Sequence, residues 1–285
     1  MTHDLRPGRA AASADHELAL LVERDYVAYA SAFERAPAIT VLRTPEVVAR
    51  RGEIAHPYLN LVLGTWTQPA AVDRLVATVH AEVGGPGRPF TWAVWPSNTP
   101  RDLGERLGAA GFRHDDDGPL MTLDLDAADL PDDLPPGLTI ELATDPQTLA
   151  EASPVTMSIV GDDPAIQAVF TEAYRALAFG PERSMAFFVG RLDGRPVATS
   201  ALFTGTGVAG LYGVGTLPGL RGRGYGRALT IAALAEGRRR GLRIGALLSS
   251  RLGLPVYRRL GFRAVGSVAF YASPADANEA VSPAS

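Results

Sequence analysis

The chain has 285 residues, a formal net charge of −4, 46% hydrophobic and 20% charged residues, and no cysteine. This is the composition of a globular protein long enough to bury more than one core, and it excludes disulfides, a thiolate nucleophile and zinc–thiolate sites. No apolar run of about 18 residues occurs, and the polar, arginine-bearing start has no apolar core behind it. The expectation is therefore a cytoplasmic protein with neither membrane span nor signal peptide.

Residues 1–15 and 273–285 are predicted to be disordered. In between, paired prolines and acids from Asp124 to Gly137 oppose helix and strand alike and predict a linker over 127–137. The first segment, 16–126, reads as a strand over Tyr58–Trp66, a helix over 69–83, a strand over Phe90–Trp95, a short helix over Pro100–Ala110 and a closing strand over Leu120–Leu125. His114-Asp115-Asp116-Asp117 contains hard-metal ligand types, but its place between Gly-Phe-Arg and Gly-Pro predicts a solvated hairpin turn, and no metal is expected.

The second segment, 138–272, begins with a strand at 138–143 and helices within 146–179. Strands Ala186–Arg191 and Val197–Phe203 follow, joined by an Asp-Gly turn. Gly205-Thr-Gly207-Val-Ala-Gly210 has the spacing of a dinucleotide fingerprint. It leads into extended chain rather than a helix, and so reads as a hairpin turn. Then come a strand over Leu211–Leu217, the loop Arg221-Gly-Arg-Gly-Tyr-Gly-Arg227, a helix at 228–240, and a strand over Leu242–Ser249. A short helix near Pro255–Leu260 and a last strand over Ala264–Tyr271 complete the order.

The Arg221–Arg227 loop carries the ligand signal. Three glycines let backbone N–H groups approach an anion closely, and the following helix turns its N-terminal donors and dipole toward it. All 27 basic residues are arginine, which rules out a P-loop with its obligatory lysine. Charge is divided unevenly: residues 1–137 hold 20 acidic and 12 basic groups, residues 138–272 hold 9 and 15, and Arg221–Arg263 holds eleven arginines against Glu236 alone. Arginine forks suit phosphate oxygens. The basic stretch lacks interleaved aromatic platforms, so no nucleic-acid partner is expected. Arg238-Arg239-Arg240 before Gly241 fits either ligand contact or a helix C-terminus.

The loop resembles the R/Q-x-x-G-x-G/A signature of the GNAT acyltransferases. The downstream run Ser250-Arg-Leu-Gly-Leu-Pro-Val-Tyr257-Arg-Arg-Leu-Gly261-Phe262 is similar to a second hallmark of that family, in the same order and spacing. The resemblance spans about Leu138 to Ala272. It implies that acetyl-CoA, or another acyl-CoA, is the co-substrate, with pantetheine along Val214, Gly215 and Thr216 and pyrophosphate on Arg221, Gly222, Arg223, Gly224, Tyr225, Gly226 and Arg227. It implies further that Ser250 contacts the cofactor and that Tyr257 is the general acid, giving its proton to the departing thiolate. The acceptor is then an amine of a small molecule or peptide.

Gly111-Phe112-Arg113 repeats Gly261-Phe262-Arg263 at an offset of 150. With the resemblance this predicts an α/β (α+β) chain of two tandem GNAT-like lobes, each a mixed, mostly antiparallel sheet flanked by helices, the first a degenerate copy; a chance repeat in an unrelated N-terminal domain is the alternative. In that copy the strand-to-helix connection lacks a glycine pair, and Leu107 stands where the second has Tyr257. The resemblance also leaves a gap. Relatives that use a glutamate as base carry it at the position of Gly245, and all five histidines lie in the first half. Asp162, Asp163 and Glu172 are the remaining acids near the expected acceptor side. An inactive acyl-CoA-binding module with a protein partner is therefore the alternative expectation, and a monomer or homodimer is expected.

Overall fold

The structure is a computed structural model that describes residues 9–85, 87–158, 161 and 163–274. Its strands are β1 (Ile39–Arg43), β2 (Val47–Gly52), β3 (Leu61–Thr65), β4 (Thr91–Val94), β5 (Arg113–Asp124), β6 (Leu138–Leu142), β7 (Met185–Leu192), β8 (Arg195–Phe203), β9 (Ala209–Thr216), β10 (Ile244–Leu248) and β11 (Arg263–Ala272). Its α-helices are α1 (Arg9–Ser31), α2 (Val72–Val79), α3 (Leu103–Ala109), α4 (Pro146–Met157), α5 (Pro164–Phe179), α6 (Tyr225–Arg239) and α7 (Leu254–Arg259). Among the described residues no helix is long and apolar enough to cross a membrane.

The strands form one 11-stranded sheet in the order β1-β2-β3-β4-β11-β5-β10-β9-β8-β7-β6. All neighbours are antiparallel except β3 with β4 and β9 with β10. Each parallel pair needs a crossover, supplied by α2 and α6 respectively. This corrects the expectation of a separate sheet in each lobe. The final strands are exchanged: β11 lies between β4 and β5, and β5 lies between β11 and β10. The β5–β11 pair is the centre about which β3-α2-β4-α3 and β9-α6-β10-α7 repeat.

Strand alternation assigns the two faces of the sheet. Ala209 and Leu211 pack in the layer beneath α6, whereas Gly210 between them lies against Asp25 of α1. On one face α1, α4 and α5 cover a core that includes Phe33, Phe170, Tyr174 and Phe187. On the other, α6 and α7 cover one cluster and α2 and α3 a second, which includes Trp92, Leu103, Leu107 and Phe112.

Several local expectations are corrected. Residues 9–15 are the start of α1 rather than disordered chain, consistent with their alanine content and its helix propensity; residues 1–8 lie outside the described residues. Ser273 is buried and holds Phe90, its N–H donating to the Phe90 carbonyl and its hydroxyl accepting the Phe90 N–H. The expectation for 275–285 falls outside the described residues. His114–Asp117 is strand, not turn, because β11 pairs with it from Ala269↔Asp117 to Tyr271↔His114. Its acids engage the chain itself: Asp115 pairs with Arg113, Asp116 with Arg251, and Asp117 with His114.

Candidate active site

β9 is the edge on which the site is built. It pairs with β10 only at Ala209↔Gly245 and Gly210↔Ala246, yet it runs on to Thr216. Beyond Gly210 the two strands part, so Val214, Gly215 and Thr216 lie along an open edge, held from the other side by β8. Gly213 marks the kink. Its φ of 55° lies in the left-handed region, the β8–β9 register shifts beside it, and a side-chain carbon there would come within 2.9 Å of the Tyr174 hydroxyl. The Thr199 hydroxyl donates to the Gly213 carbonyl at 2.9 Å and fixes the bulge.

From Thr216 the chain turns through Pro218–Leu220 into the glycine loop, and Arg221 Nε ties back to the Thr216 carbonyl at 3.3 Å. Gly222 and Gly224 adopt φ of 79° and 84°, and Gly224 is the N-cap of α6. The first backbone bond of α6 runs from Ala228 N–H to the Gly224 carbonyl at 3.0 Å, so the N–H groups of 222–227 have no acceptor among the described residues. Unpaired donors, a helix N-terminus and the exposed Arg223 are together suited to an anion. The Tyr225 ring is buried beneath α6, which leaves its backbone N–H to serve the loop. Arg227 also lines a groove of about 500 Å³ with Arg259, Arg263 and the 127–131 segment. Arg239 and Arg240 pair with Glu236, and Arg238 donates to the Ala128 carbonyl, so that triplet closes the helix end.

Tyr257 lies on α7, 9% exposed, with its ring edge-on to Phe262 at 5.7 Å. Burial pushes its phenol well above the ordinary tyrosine value. The hydroxyl has no hydrogen-bond partner among the described residues and is not among the enclosed unpaired polar atoms. Ser250 is exposed, and its Oγ accepts the Gly253 N–H at 3.1 Å at the entry to α7, which leaves the hydroxyl proton free to donate.

A side chain at position 245 would not reach this edge. A Cβ on Gly245 would point into the α6 layer, 3.0 Å from Leu234 and 3.5 Å from Leu123 and Leu125. Packing therefore accounts for the glycine. Of the other acids, Asp163 caps α5, Glu172 is paired with Arg175, and Asp162 lies outside the described residues.

Sequence reasoning missed the groups that α1 brings to β9 from some 180 positions away. Asp25 accepts hydrogen bonds from Tyr212 at 2.6 Å and from Thr206, and burial raises its pKa to about 6. Tyr29 stacks on Tyr212 at 3.6 Å and its hydroxyl meets that of Tyr174 at 2.9 Å. No local sequence signal marks these long-range partners.

The model of the acetyltransferase (GNAT) family matches residues 157–262, the interval that holds β9, the loop, α6 and Tyr257. That interval is a GNAT-family domain. Solved structures agree in fold. A GCN5-related N-acetyltransferase from Kribbella flavida is 21% identical with a TM-score of 0.65, covering 87% of this chain and 95% of its own. A tandem GNAT protein from the clavulanic acid biosynthesis pathway is 17% identical with a TM-score of 0.56, covering 89% and 95%. A GCN5-related N-acetyltransferase from Sphaerobacter thermophilus is 19% identical with a TM-score of 0.56, covering 80% of each chain. No curated protein matches.

Among the described residues the glycine loop has no counterpart in the first half. The β3–α2 connection passes through Pro69–Ala71 without a left-handed glycine. A carboxylate of the chain itself, Glu46, lies there and accepts from the Thr67 hydroxyl at 2.6 Å and from Arg74 at 2.9 and 2.8 Å. Leu107, at the place of Tyr257, is fully buried.

Proposed function

We propose that the protein is an acyl-CoA-dependent N-acyltransferase, with acetyl-CoA as the co-substrate and an amine of a small molecule or peptide as the acceptor. One observation carries the reading: the unpaired N–H groups of 222–227 open the helix that follows the free edge of β9. Those donors fit a pyrophosphate, and the left-handed glycines leave room for it. In this reading the second half is the working GNAT lobe and the first a degenerate copy.

Acetyl-CoA supplies a thioester carbonyl that an amine can attack. The amine attacks as its free base, and the C–N bond forms as the C–S bond breaks. The proton the amine sheds passes to solvent, which restores Tyr257. The chain's own groups supply orientation and the proton for sulfur. The β9 edge at Val214–Thr216 orients the thioester, and backbone donors placed at an oxyanion are worth about 3–4 kcal/mol. Tyr257, protonated at any physiological pH, holds a proton for the departing sulfur.

Calorimetric titration with acetyl-CoA tests this. Wild type is expected to bind one-to-one, and Gly224→Asp, which sets a carboxylate at the phosphate on a residue with φ of 84°, is expected to lose at least about 100-fold in affinity. Equal binding by both proteins would remove the loop from the site. Thiol release in the presence of an amine panel then separates the enzyme from the binding module.

A further inference from the structure

The first half of the molecule holds a groove near the counterpart of the active edge. β3 and β4 pair at Leu61↔Thr91 and Val62↔Trp92, and beyond them Thr99 bridges Trp66. The Thr99 N–H donates to the Thr65 carbonyl at 3.1 Å and its carbonyl accepts the Thr67 N–H at 3.2 Å, so the backbone edge that β9 leaves free is taken here. Against α1, a groove of about 620 Å³ lies at the ends of β3 and β4. Leu20, Val27 and Ala28 of α1, Val48 of β2 and the Trp66 indole give it mostly apolar walls.

Its polar element is Glu23, which lines the groove while only 4% exposed. The carboxylate accepts the Ser97 backbone N–H at 3.3 Å and the Ser97 hydroxyl, and that hydroxyl accepts Trp66 Nε1–H at 3.2 Å. Every one of these donors is neutral. Among the described residues no arginine pairs with Glu23. Of the arginines at the rim, Arg35 is bound to Glu182 and Arg43 to Glu34. Arg24, exposed and solvated, has no ion-pair partner among the described residues.

A carboxylate taken out of water without a cation carries a cost of several kcal/mol, which a bound cation offsets. Trp66 is 37% exposed and offers an indole beside it, the aromatic surface that best attracts an ammonium. We propose that this groove binds an organic ammonium ion, its amine at Glu23 beside Trp66 and its hydrocarbon body along the apolar wall of α1. The volume suits a small molecule. The site is distinct from the α6 loop and stands whether or not that loop binds acyl-CoA.

The test is calorimetric titration of the full chain with 2-phenylethylamine, beside 2-phenylethanol and phenylacetate, which share the ring but carry a neutral or negative head. The amine is expected to bind one-to-one, and the other two at least about tenfold more weakly. Glu23→Gln is expected to weaken amine binding at least about tenfold while acetyl-CoA binding stays as in wild type. Trp66→Ala is expected to weaken it several-fold, and Arg24→Ala to hold or tighten it. Both of these side chains are exposed, so those two variants report even if Glu23→Gln fails to fold. Any of four results would overturn the proposal: no saturable amine binding, equal binding of the alcohol, full binding in Glu23→Gln, or weaker binding in Arg24→Ala.

Discussion

Tyr257 is a side chain whose packing and proposed chemistry can be separated by a single substitution. Its ring fills the layer beneath α6 and contacts Phe262, while its hydroxyl takes no partner from the chain among the described residues. That hydroxyl is not enclosed, so it is accessible from outside the layer that holds the ring. Tyr257→Phe keeps the ring and removes only the hydroxyl that carries the proton. It is expected to lower turnover by about 10²- to 10⁴-fold, measured as thiol release at saturating amine, with acetyl-CoA affinity nearly unchanged. Turnover equal to wild type across pH would reduce Tyr257 to packing. The same scale explains Gly245: its Cβ position faces Leu234, so a glutamate there would enter an apolar layer and could not act as base.

At the scale of elements, α1 is fastened to the β8–β9 hairpin through Asp25, which is 1% exposed and bonded by Thr206 in the turn and Tyr212 on β9. Burial raises its pKa from 3.8 to about 6 despite those bonds. A carboxyl whose folded pKa exceeds its unfolded value is most favourable to the fold below the unfolded pKa, and stability declines as pH rises through the folded one. The window is therefore pH 4 to 6, and the decline amounts to about 3 kcal/mol from the two-unit shift. Asp25→Asn cannot ionise. Its melting temperature is expected to stay level across that window relative to the wild-type decline, and parallel curves for the two proteins would exclude Asp25 as the source. The elements themselves were largely legible, because strand, glycine loop and helix are local patterns: β9, α6, β10, α7 and β11 all fall where periodicity and turn residues put them. Asp25 was not, since nothing in α1 announces a partner on β9.

The whole molecule departs from the sequence reading where pairing is non-local. The offset of 150 between Gly111-Phe112-Arg113 and Gly261-Phe262-Arg263 rightly shows that α3–β5 and α7–β11 repeat, but an internal repeat says nothing about which strand each copy pairs with. Placing β5 against β10 and β11 against β4 makes each half complete the sheet of the other. Separated halves would each expose long unpaired strand edges, the usual route to aggregation. Residues 127–285 expressed alone are therefore expected to be insoluble or unfolded, although they contain the entire family match at 157–262. Cleavage at a protease site inserted between Asp132 and Asp133, in the exposed linker, is a milder perturbation. The two fragments are expected to co-elute on gel filtration and keep a cooperative melt, because β5–β11 pairing and the buried ties of α1 to β9 outlast the cut. Fragments that separate under native conditions, or a soluble and folded 127–285 fragment, would mean that the strand exchange does not hold the halves together.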